Sequence, residues 1–231
     1  MDLAFYRGEH SVIFDHYHSW NDWHLIPSTP PVIPPPKPRT NYVTIPGTSG
    51  QIDASELASG FPLYEPRSGS LQFISLPEFG SSRKMYEDIL NAIHGRRIKV
   101  ILTDDPDYYY EGRVSVNEYG ISKEYSGFTF DYSFNPFKLS TRLEPGFSNI
   151  QVDGSKVLHI SAGTSPMRIN PVVTSDAAFD AVLTDRDGNE KSFTIVAGSY
   201  RYPGFILGPG PNTLTLSGNG TITIEVRKGG L

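Results

Sequence analysis

Cysteine is absent from the 231 residues. Disulfides, thiolate metal sites and cysteine nucleophiles are thereby excluded, and any stability needed outside a cell must come from packing or assembly. No apolar run approaches the roughly 20 residues a membrane-crossing helix needs. The opening MDLAFYRGEHSV lacks the basic start and apolar centre of a secretory signal, so synthesis in a host cytoplasm without export by that route is the expectation. An excess of positive charge is missing too. The net charge of −5 falls wholly within residues 1–149, because residues 150–231 carry seven basic and seven acidic side chains. With no basic patch or Arg-rich segment, phosphate binding is not expected. No glycine-rich loop links a strand to a helix, and no nucleophile elbow or Ser-His-Asp arrangement can be argued. No cofactor is expected.

What the chain does have is 22 Gly, 19 Pro, 13 Tyr and 13 Phe. That mixture reads as many short strands joined by turns, a mainly β protein. Residues 82–114 organise the first half. Met85, Tyr86, Ile89, Leu90 and Ile93 form one stripe of a helix over 82–94. Ser81 or Ser82 can cap its start and Gly95 its end. Arg96, Arg97 and Lys99 follow near the negative pole of the helix dipole. Ile98, Val100 and Leu102 share one strand face; Asp104, Asp105, Pro106 and Asp107 turn the chain, and Tyr108, Tyr110, Val114 and Val116 resume a period of two. In EYSGFTFDYSFNPF, Phe128, Phe130, Tyr132 and Phe134 share a face that needs covering, and the helix stripe is the obvious partner.

Ahead of the helix come strand-like pieces at LAFY, SVIF and HSWNDWHLI. The segment 27–39, PSTPPVIPPPKPR, holds seven prolines and cannot be a helix or an inner strand. It reads as a polyproline II arm, either a surface loop or an arm lying on a neighbouring subunit. The flanking Trp20, Trp23, Leu25, Val43 and Ile45 suggest that both of its ends are anchored in a core. A short strand at NYVTIPG, a polar loop and a strand at 70–76 follow. Near 138–149 the texture changes, giving domains at 1–140 and 141–231. The second domain reads as an antiparallel sandwich of KVLHI, MRINPVVT, AFDAVLTD, KSFTIVA, GFILG, NTLTLSG and TITIEVR, with a tight turn at Asp187-Gly188.

Several clusters invite a chemical reading. His10, His16, His18 and His24, with Asp15 or Asp22, could hold a metal only if they converged; packing or solvent is the simpler fate, and no metal site is expected. Asp104, Asp105 and Asp107 could be glycosidase carboxylates, but Asp-Asp-Pro-Asp is also turn chemistry. Their proximity to Arg96, Arg97 and Arg113 suggests ion pairs within or between subunits. Asp185-Arg-Asp187-Gly-Asn-Glu190 resembles the start of a calcium loop without its downstream glutamate, and a plain hairpin is favoured. For sugar binding, Tyr200 and Tyr202 offer a stacking platform, and Glu225 with Arg227 echoes a galectin-type Glu-x-Arg.

The order of SWNDWHLIP, PPKPR, TIPGTSGQIDASE, a helix ending in HGR, VILTDDPDYYYEGRV and FTFDYSFNPFK, spanning residues 19–138, resembles the distal tail proteins (Dit) of siphophages that infect Gram-positive hosts. The second half is similar to the galectin-like β-sandwich of that family, with GPGPNTLTLSGNGTITIE as its ending. The resemblance implies an N-terminal split β-barrel with one helix, followed by the galectin-like domain. It also implies a non-enzymatic homohexameric ring at the virion tail tip, single or doubled back to back, around a channel that DNA passes without specific binding. Its implied partners are the tail tube protein, a tail-associated hub or lysin, and a receptor-binding protein, with no membrane. Trp20, Trp23, Arg96, Arg97, Asp104, Asp105, Asp107, Tyr110 and Arg113 are the candidates for inter-subunit or structural roles. The competing reading is a carbohydrate-binding adhesin that contacts host wall glycans.

Overall fold

A computed structural model describes residues 8–47, 49–117, 119–122 and 124–231. The strand expected at LAFY lies outside the described residues. The chain divides into two compact units, residues 1–138 with Leu231, and residues 139–230.

The first unit contains β1 (Val12–Phe14), β2 (Tyr17–His18), β3 (Ile26–Pro27), β4 (Tyr42–Thr44), β5 (Gln51–Asp53), β6 (Arg67–Ser75), a 3-10 turn at Pro77–Phe79, helix α1 (Ser82–Ile93), β7 (Arg97–Leu102), β8 (Tyr108–Val116), β9 (Gly120–Ile121) and β10 (Ser126–Phe134). Its main sheet runs β2-β1-β7-β8-β10-β6-β3, with β9 beside β10. Every pairing in it is antiparallel, and the sheet curls into a half-barrel. Ser81 caps α1, its hydroxyl accepting from the Lys84 N–H at 3.5 Å, and Gly95 leaves the helix at φ +71°. Ile89 and Ile93 are buried, with Met85, Tyr86 and Leu90 packed beside them. They share one core with Phe14, Phe73 and the row Phe128, Phe130, Tyr132 and Phe134. The period-2 row and the period-3.6 stripe therefore lie in one core.

The second unit begins at the junction with β11 (Lys138–Ser140), followed by β12 (Ile150–Ser161), β13 (Val172–Ser175), β14 (Phe179–Thr184), β15 (Glu190–Ile195), β16 (Gly198–Tyr200), β17 (Pro211–Glu225) and β18 (Gly229–Gly230). The sheet order is β15-β14-β17-β13-β16, with β12 also on β17. Two strands expected at NTLTLSG and TITIEVR are one strand, β17. Its first half pairs with β14 and its second half with β13, while β12 follows it from Pro211 to Ile222. Gly218 and Gly220, at φ +149° and +148°, let the strand change partners without ending. GFILG contributes only the Ile169–Leu207 bridge, yet it buries Phe205 and Leu207.

Candidate assembly surface

The charges singled out in the sequence fasten the first unit to itself. Asp104 accepts from His10 Nδ1 at 2.7 Å. Asp105 binds Lys138 Nζ at 2.5 Å, and that ammonium lies 4.2 Å from the Tyr108 ring centre. Arg97 pairs with Glu111 at 3.2 Å. Arg96 donates to the Asn91 carbonyl at 3.0 Å, and Arg113 donates to the Gly95 carbonyl. Within the unit, then, Asp104 and Asp105 do not meet Arg96, Arg97 or Arg113. The reason is length: Arg97 and Arg113 face each other at one end of the β7–β8 hairpin, and the acidic turn closes the other end, roughly 20 Å away at about 3.3 Å per residue. Asp107 lies in the same turn.

The early histidines diverge. His16 meets Asp15 at 3.3 Å. His18 Nδ1 accepts from the Trp20 and Asn21 N–H groups, and Asp22 accepts from the His18 N–H. His24 stacks on Phe79, with Trp20 edge-on to both rings. No group of three or more metal-ligating side chains converges among the described residues. Trp23 is a core residue stacked under Tyr17 and against Phe14. Tyr110 is buried beneath Arg67.

The proline-rich segment lies on its own unit, not extended away from it. Ser28 N–H donates to the Gln72 carbonyl, Ile33 enters the core, and Pro38 bridges to Tyr64. Arg67 clamps it. Only 3% exposed, Arg67 donates from Nε to the Pro136 carbonyl at 2.8 Å and from Nη1 to the Pro34 carbonyl at 2.7 Å. Nη2 has no hydrogen-bond partner, and the guanidinium sits 5.4 Å from the Tyr110 ring centre. Burial lowers the Arg67 pKa, opposed by Tyr110, and burial raises that of Tyr132, reinforced by Tyr110.

Beyond this strap the chain leaves the core. β4 and β5 form a two-stranded sheet of their own, and all six of its residues are exposed. Tyr42 is 54% exposed, Ile52 55%, and Leu57, just after the hairpin, 87%. Val43 and Ile45, expected to anchor the segment in a core, are exposed as well. Apolar residues in a short strand read as buried in sequence; nothing in the pattern distinguishes a strand buried in its own chain from one left uncovered.

In the second unit Tyr200 is exposed and edge-on to Tyr202, whose hydroxyl is tied to the Val196 N–H and carbonyl. Glu225 is exposed. Arg227 donates to the carbonyls of Ser140 and Thr141. Asp185 closes its hairpin by accepting from Asn189 and Asp187, and the Asn189 side chain and then its backbone N–H are the main causes that lower its pKa.

No protein-family model and no curated protein matches the sequence. A solved structure matches in fold. The Dit protein (gp 19.1) of SPP1, presented as a paradigm of the hub adsorption apparatus in phages infecting Gram-positive bacteria, superposes with a TM-score of 0.62. The match covers 94% of this chain and 98% of that one at 14% identity. The chain has a Dit-like fold. The sequence reading placed a strand at NYVTIPG; what it overlooked is Arg67, the partner strand β5 and the exposure of the hairpin. A lone arginine at the head of a Ser/Gly-rich strand and a three-residue apolar strand carry no periodic signal. No helix among the described residues is long and apolar enough to cross a membrane.

Proposed function

We propose that this chain is a structural protein of a siphophage tail tip. Six copies close into a ring through their first units, join the tail tube to the host-adsorption apparatus, and leave a central channel for DNA. The observation that carries this reading is the Dit-like fold shared over nearly the full length of both chains. The uncovered hairpin supports it: a two-stranded ribbon with apolar residues open to solvent is marginal alone and gains stability when another surface covers it. The net negative charge of the first half fits a wall that repels DNA phosphates and lets the genome slide. In this reading the second unit, a galectin-like domain, offers its surface to a receptor-binding protein. Light scattering on the purified chain, with electron microscopy of the same sample, tests the proposal. Six times the monomer mass and six-fold rings are expected; a solitary chain at tens of micromolar, with no ring in intact particles, would overturn it.

A further inference from the structure

Among the described residues, the first sheet is open along one stretch of its edge, and a proline is the cause. β6 pairs with β10 over all nine residues on one side. On the other side β3 supplies only the pairs Ile26–Ile74 and Pro27–Phe73, followed by the bond from Ser28 N–H to the Gln72 carbonyl at 2.9 Å. Main-chain groups alternate sides along an antiparallel strand. The outward carbonyl of Gln72 therefore aims the N–H and C=O of Ser70 and Ser68 outward as well. Continuing the β3 register sets Pro30 opposite Ser70. Proline has no N–H to give the Ser70 carbonyl, so the ladder stops and the strap bows away. A cleft of about 410 Å³ opens between Thr29–Val32 and Ser70–Gln72. It is a fixed feature, because the strap is fastened again just beyond it by buried Ile33 and by Arg67 on Pro34.

We infer that this cleft receives an extended strand, and that the strand is β4 of a second copy. The inference deepens the ring reading and rests on it. The cleft presents main-chain donors and acceptors and no charged side chain. β4, Tyr42-Val43-Thr44, is likewise uncharged, and its edge away from β5 has no strand partner among the described residues. One element has an edge to offer and the other lacks an edge to join. Strand addition is a common way to satisfy both. The chain's own hairpin is rooted past the Glu65–Lys37 and Arg39–Leu63 bonds and forms a separate sheet, which leaves the cleft to another copy.

The absence of cysteine makes the test direct. Val43→Cys and Ser70→Cys are placed in one chain, with Thr44→Cys and Ser70→Cys as a second pair one residue along. Disulfides form only when the two Cα atoms come within roughly 7 Å. After mild oxidation, at least one pair should give a ladder of covalent oligomers on a non-reducing gel. Ser70→Cys alone should give at least tenfold less. Ser70→Pro, which removes an outward N–H and no bond to β10, should weaken oligomerisation at least tenfold while circular dichroism stays unchanged. Particles of full ring mass with no ladder from either pair would overturn this contact and leave the ring standing. A chain that stays monomeric would overturn both.

Discussion

At the scale of single residues, Arg67 does the most with the least signal. A guanidinium buried without a carboxylate must be solvated by what surrounds it. Here two carbonyls and the face of Tyr110 do so. The two carbonyls come from the strap at Pro34 and from the end of β10 at Pro136, so one side chain joins segments 102 residues apart. Hydrogen bonds from a charged donor contribute about 1.5–3 kcal/mol each, and Arg67→Met also leaves two carbonyls unanswered. Relief of the desolvation that lowers the Arg67 pKa offsets part of the loss. Arg67→Met is expected to cost about 2–4 kcal/mol. Urea unfolding followed by tryptophan fluorescence reads this in the correct unit, since Trp20 and Trp23 are the only tryptophans. Amide exchange at Arg39 and Glu65, whose N–H groups bond the far end of the strap to the facing segment, should rise in the same variant. Exchange that stays slow there would show that the strap is held without Arg67.

At the scale of elements, periodicity decided what could be read ahead of the structure. Helix 82–93 and the row at 128–134 were legible because each carries its apolar residues at one spacing over three or more repeats. The strap was legible as extended chain but not as docked chain, because proline fixes φ and says nothing about which surface receives it. β17 was misread because Gly-Asn-Gly normally punctuates, whereas here both glycines keep the strand going. Their roles differ from that of Gly188, which turns a hairpin in open space at φ +83°. A methyl on Gly218 would lie 2.9 Å from the Ala178 carbonyl and 2.8 Å from the Phe179 ring, at a φ that side chains avoid. Gly218→Ala is therefore expected to cost the second unit about 2–3 kcal/mol, and Gly188→Asn less than about 1 kcal/mol. Chemical unfolding of residues 139–231, monitored by far-ultraviolet circular dichroism, checks the contrast. Equal losses would show that β17 does not depend on its glycines to change partners.

At the scale of the whole molecule, the question is which force would hold copies together. Reading the sequence by charge alone pointed to ion pairs between aspartates and arginines, within or between subunits. The structure engages Asp104, Asp105, Arg96, Arg97 and Arg113 within their own unit. Among the surfaces left uncovered are the apolar side chains of the β4–β5 hairpin and the main-chain edge at Ser68 and Ser70. Each copy also brings its net charge of −5, all from residues 1–149, so approaching first units repel. Screening shortens that repulsion, with a Debye length of about 30 Å at 0.01 M and about 8 Å at 0.15 M, and leaves apolar burial and main-chain pairing nearly untouched. The oligomer is therefore expected to tighten as salt rises from about 0.02 to about 0.5 M. Sedimentation or mass photometry across that range should show the dissociation midpoint moving to lower protein concentration. Ion-paired subunits would do the reverse and come apart. A midpoint that rises with salt would return the assembly to the acidic turn and the arginines.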